Sequence, residues 1–184
     1  AINVTGLGSG EAAVINAVIA GTNGFTFSGT SYLQLNGANA YSGTTVISGS
    51  GSTIAFGNNH AFGTGTVQVG GPVGDQQMWF TPSGNITLTN ALEIRTIRWI
   101  INNATINGVG AGSLTLNGNV LLNTGPSNVR DIYCNEPLTI NGNVSVTPAG
   151  NPLNKQGGNS LTFNGTNTVG GASAVNGGVL IVNG

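Results

Sequence analysis

Six of the nine charged residues in this 184-residue chain fall in two short runs: Glu93, Arg95 and Arg98, then Arg130, Asp131 and Glu136. Carboxylates beside guanidinium groups can do three kinds of work. A pair of acids flanking a glycosidic bond supports acid, base or nucleophilic catalysis. Exposed acids and arginines form a glycan-binding patch. The plainest outcome is mutual neutralisation as surface ion pairs, each of small energetic value. Glu93 and Arg95 are placed to share a strand face, and Arg130, Asp131 and Glu136 follow one repeat later. Stacking of the two runs predicts a small charged patch. Both tryptophans lie in the same middle region, in Gln76-Gln-Met-Trp79-Phe80 and Arg98-Trp99-Ile100. Packing in the core or at an edge is their default role, with sugar stacking or contact with a neighbouring subunit as alternatives.

The remaining reactive side chains are isolated. His60 sits in Asn58-Asn-His-Ala-Phe62 with no Cys, Asp or Glu beside it, so it reads as a loop residue rather than a metal ligand. Cys134 is the single cysteine, which excludes an internal disulfide and a CxxC site, and it reads as a buried small hydrophobe. Asp75 stands alone in a loop. No phosphate-binding loop, GxSxG elbow or dinucleotide fingerprint occurs. No catalytic, cofactor-binding or metal-ligating set is therefore assigned.

The surrounding composition narrows the function classes. Charged residues make up 5% of the chain, against about 25% in an ordinary soluble domain. In their place stand 32 Gly, 26 Asn and 21 Thr. Arg95, Arg98, Arg130 and Lys155 are too few and too scattered to displace phosphate counterions, so a nucleic-acid partner is excluded. The apolar stretches Ala12 to Ala20 and Ile97 to Ile101 fall short of the ~20 residues that span a bilayer, which argues against membrane insertion by this segment. The first ten residues lack the basic start and apolar run of a cleavable signal, so any export signal lies outside them.

These residues must be positioned by strands. Only Glu11 to Ala20 carries helical spacing; elsewhere short period-two runs alternate with Gly and Asn turns. One theme recurs as Ile86-Thr-Leu-Thr-Asn90, Leu114-Thr-Leu-Asn-Gly118, Leu138-Thr-Ile-Asn-Gly142 and Leu161-Thr-Phe-Asn-Gly165, with starts 28, 24 and 23 residues apart. Leu33 to Ile86 adds 53 residues, or two further intervals. Asn-Gly between strands is also a hairpin signal, so an antiparallel sandwich competes. A repeat of fixed period favours stacked coils, in which like strands lie on like. The expected fold is all-β, a parallel β-helix of about seven coils, forming one domain over residues 1–184. At the ~4.8 Å strand spacing this makes a rod about 35 Å long. Stacked identical charges would repel at that spacing, whereas Asn, Thr and Gly stack freely. Strand-like sequence at both limits, Ala1 to Thr5 and Val179 to Asn183, predicts either a slice of a longer helix or units that join end to end through terminal coils.

The segment Leu33-Gln-Leu-Asn-Gly-Ala-Asn-Ala-Tyr-Ser-Gly-Thr-Thr-Val46, followed by Phe56-Gly-Asn-Asn-His-Ala-Phe-Gly-Thr-Gly-Thr-Val-Gln-Val-Gly70, resembles the autotransporter-associated β-strand repeat of bacterial passenger domains and very large surface proteins. A partial second copy runs from Leu161 to Gly171 and from Gly177 to Val182, with Val169 where that family usually places an aromatic. The likeness extends over Ala17 to Gly71, and Pro72 to Gly157 keeps the rhythm without the motif. The resemblance implies a right-handed β-helix at the bacterial cell surface or outside the cell, a stalk, adhesin or sheath without catalysis of its own. Its expected partners are further copies of itself and surface glycans. The competing expectations are a carbohydrate-active or glycan-binding helix using Glu93, Arg95, Arg98, Arg130 and Asp131, and ice binding through outward Thr pairs such as Thr87 and Thr89, which do not recur on every coil.

Overall fold

A computed structural model describes residues 2–5, 12–71, 77–102, 112–123 and 129–184. Short strands laid down as the chain winds form, among the described residues, three long parallel sheets and a fourth of two strands, Ala20–Gly21 and Ala40–Tyr41. The first holds Ile2–Thr5, Phe25–Ser28, Thr45–Ser48, Val67–Val69, Leu92–Ile94, Val120–Asn123, Val144–Thr147 and Asn167–Thr168. The second holds Ala12–Ile15, Tyr32–Leu35, Ser52–Phe56, Gln77–Pro82, Arg98–Ile101, Arg130–Cys134, Leu153–Gln156 and Ala174–Val175. The third holds Ile86–Leu88, Leu114–Leu116, Leu138–Ile140, Ser160–Phe163 and Val179–Val182. Each strand pairs in parallel with its equivalent one coil away. The expected parallel β-solenoid of about seven turns is what forms.

Alternation within each strand builds the core. On the first sheet Phe27, Ile47, Val69, Ile94, Leu122 and Val146 stack inward in register. On the third, Leu88, Leu116, Ile140 and Phe163 do the same. Larger rings fill the middle: Phe80 meets Phe56, Phe62 and Trp99 with centroids 5.5, 5.8 and 5.7 Å away. These ladders explain why apolar residues recur at coil period.

The Asn-Gly pairs turn corners between the third sheet and the first, and make no hairpins. Leu114–Leu116 pairs with Leu138–Ile140 rather than with the strand that follows it in sequence. At these corners Asn141 Nδ2 donates to Asn117 Oδ1 at 2.8 Å, Asn164 Nδ2 to Asn141 Oδ1 at 2.7 Å and Asn183 Nδ2 to Asn164 Oδ1 at 2.7 Å. The adjoining glycines are sterically required, because a Cβ on Gly142 would overlap the Gly118 carbonyl below it.

One sequence expectation is corrected. Leu33 is not the counterpart of Ile86: it lies in the second sheet, over Ile54, while Ile86 begins the third. The third side of the early coils is built by Ala20–Gly21 and Ala40–Tyr41, then by the turn around His60. There Asn39 donates from its amide nitrogens to the carbonyls of His60 and Ala61, and Thr87 N donates to Asn59 Oδ1. The helical spacing after Glu11 does not produce a helix. Ala12–Ile15 is a strand whose ladder bonds to Tyr32–Leu35 outweigh local preference; Glu11 lies outside the described residues. The outward Thr pairs do not recur on every coil, while single threonines, Thr87, Thr115, Thr139 and Thr162, form one outward row over four coils.

Candidate functional site

The structure divides the charged residues among three environments. Glu93 lies on the outer side of the first sheet, between the inward Leu92 and Ile94. Arg95 closes on it with two bonds of 2.9 Å, Nε to Oε1 and Nη2 to Oε2. Gln68 Nε2, one coil below, donates to Oε2 at 3.2 Å, and Asn123 Nδ2, one coil above, donates to Oε1 at 2.8 Å. The Arg95 hydrogen bond chiefly holds the Glu93 carboxyl below its usual pKa, helped by Asn123 and Gln68 and opposed by partial burial.

Arg98 and Asp131 lie on the outer side of the second sheet at the same register position. Arg98 Nε approaches Asp131 Oδ2 at 3.7 Å, and Asn154 Nδ2, one coil further, donates to Asp131 Oδ1 at 3.2 Å. The Arg98 side chain is 53% exposed. Surface ion pairs, the plainest expectation, are therefore present in both runs. Glu136 is half-buried beyond the end of its strand, and no described contact joins it to the patch. Asp75 lies outside the described residues.

Arg130 departs from the expected surface patch. It is 3% exposed and sits on the inward side of its strand, in phase with Ile132 and Cys134. Its Nη2 donates to the carbonyls of Arg95, at 3.0 Å, and Asn123. Nε and Nη1 have no hydrogen-bond partner among the described residues. Burial pulls its pKa down to about 10. Asn123 thus links the two sides of the wall, donating outward to Glu93 and accepting inward from Arg130.

The tryptophans also separate. Trp99 is in the core, 1% exposed, edge-on to Phe80. Trp79 is half-buried on the outer side of the second sheet, in register with Ile100 and, one coil on, Tyr133. Its neighbour on that face is the row Gln77, Arg98, Asp131, Asn154. Tyr133 and Asn154 were not singled out from sequence, although strict alternation in Arg130-Asp-Ile-Tyr-Cys134 and Leu153-Asn-Lys-Gln156 places them outside and sends Arg130 and Lys155 inside.

His60 is exposed in its turn, and the described residues hold no cluster of three metal-ligating side chains. Cys134 is fully buried in the core, as expected, and burial pushes its thiol pKa up to about 12.

These features define a parallel β-solenoid in which Glu93 and Asp131 are engaged by neighbouring donors and whose second sheet carries Trp79, Ile100 and Tyr133 in a row beside a polar one. No protein-family model, curated protein or solved structure matches the chain.

Proposed function

We propose that the chain is a structural, non-enzymatic module of an extracellular surface fibre, sheath or adhesin, whose coils stack end to end. The observation that carries this reading is the stacking itself: like strands pair in parallel and in register coil upon coil, and Asn117, Asn141, Asn164 and Asn183 ladder at the corners. Val182, which continues the inward ladder through Phe163, is 55% exposed. Parallel stacking is directional, so one edge of the solenoid in one copy complements the opposite edge in another. Such a head-to-tail contact repeats without closing and builds a filament. The engagement of Glu93 and Asp131 by neighbouring donors, and the resemblance to passenger-domain repeats, support the non-enzymatic and surface parts of the reading.

Light scattering and electron microscopy across a concentration series test the assembly. Rods lengthening in steps of about 35 Å are expected, and Val182→Lys should shorten them. A strictly monomeric chain at every concentration overturns end-to-end assembly. Antibody labelling of intact producing cells tests the location, and signal only after lysis overturns it.

A second reading, ice binding, is favoured by one observation: Thr87, Thr115, Thr139 and Thr162 form an in-register outward row. Thermal hysteresis that Thr139→Lys abolishes supports it, and its absence in the unmodified chain removes it.

A further inference from the structure

Trp79, Ile100 and Tyr133 occupy one outward register position on three successive coils. Ile100 is only 8% exposed although Trp99 and Ile101 on either side of it point into the core. Ile100 thus lies between two aromatic positions on the outward face of the sheet. Two residues nearer each strand's start runs the polar row of Gln77, Arg98, Asp131 and Asn154. The face therefore presents an apolar strip beside a line of amide, guanidinium and carboxylate groups.

We infer that this outer face of the second sheet binds an extended, neutral oligosaccharide. A sugar ring has apolar C–H faces and a hydroxylated edge, and the two rows offer a surface for each. Trp79 and Tyr133 are two coils apart, about 10 Å at the strand spacing, roughly the reach of two linked rings. Arg98 and Asp131 supply one positive and one negative charge, and Gln77 and Asn154 add only amides. That balance leaves no surplus cation to recruit a uronate or sulfate. It suits hydroxyls, which accept from Arg98 and donate to Asp131. Of the four basic residues, Arg98 alone keeps its head largely in solvent: Arg95 is locked onto Glu93, and Arg130 and Lys155 are buried.

The test titrates the full chain with cellohexaose, mannohexaose and xylohexaose, and with hexagalacturonate as the charged comparison, followed by tryptophan fluorescence and calorimetry. Binding of at least one neutral hexasaccharide with Kd around 1 mM or tighter is expected. Trp79→Ala should weaken it about tenfold or more, a loss of ~1.4 kcal/mol. Arg98→Gln changes a half-exposed side chain, preserves the melting curve, and should weaken binding several-fold. Thr139→Ala, on the third sheet, should leave it unchanged. The inference is overturned if no neutral chain binds, if only the galacturonate binds, or if binding survives both substitutions on the second sheet. A chain that forms filaments yet binds no sugar overturns this inference and leaves the structural reading standing.

Discussion

Lys155 stands in register over Ile132 in an inward-facing column, and its ammonium donates to the carbonyls of Gln156 at 2.7 Å and of Gly157 and Gly177 at 2.9 Å. It is 1% exposed, and burial lowers its pKa. All three N–H donors are used on backbone carbonyls. The lysine thus ties the coil of Leu153–Gln156 to the chain that follows it. Lys155→Met keeps the packing volume but strips three acceptors of their partner. A stability loss of about 1–3 kcal/mol is expected in urea melts.

Acid should loosen the first sheet. Glu93 has its pKa lowered in the folded chain, first by Arg95. Its contribution is therefore present above the unfolded glutamate value of about 4.3 and is lost as pH falls through the depressed folded value. Glu93→Gln should cost about 1 kcal/mol at pH 7 and less at pH 2.5, below the unfolded value. Parallel denaturant melts of both proteins at the two pH values check this.

The corner ladder makes graded predictions. Asn141→Ala removes two interstrand amide bonds, to Asn117 and from Asn164, whereas Asn183→Ala removes one at the ladder's end. The first should cost about 1 kcal/mol and the second less, since these amides are exposed to competing water. Gly142→Ala forces a methyl into the Gly118 carbonyl and should cost about 2–4 kcal/mol. Thermal melts that ranked Asn141→Ala above Gly142→Ala in cost would contradict the stacked-corner geometry.

Cys134 should be chemically silent in the native chain. With its thiol buried and its pKa near 12, almost no thiolate exists at pH 8. Iodoacetamide is expected to modify it only after denaturation, read by mass spectrometry over a time course. Rapid modification of the native chain would mean that the wall at Ile101–Cys134 opens.

The Thr-apolar-Asn-Gly runs revealed the solenoid because each of their residues has a fixed duty: apolar inward, Thr outward, Asn to the ladder, Gly to the corner. Legibility fell where one duty passed to another kind of element. The turn around His60 replaces a third-sheet strand, so Leu33 and Ile86 looked equivalent by spacing although they belong to different sheets. At the candidate site the Glu93 and Arg95 pairing was readable as two residues two positions apart on an extended chain. The inward turn of Arg130 was readable only from its phase with Ile132 and Cys134. Charge alone suggested the surface.

The sequence by itself determined that the chain is built of short strands, that it repeats every 23 to 28 residues, and that its low charge suits stacked side chains. Those properties follow from local alternation and composition, which need no knowledge of partners. The tertiary structure decided which residues from distant coils meet: Arg98 with Asp131, Gln68 and Asn123 with Glu93, Trp79 in line with Tyr133. It also decided that Arg130 and Lys155 face the interior. Register is the physical reason, because coils of unequal length bring positions into line that no constant period can number.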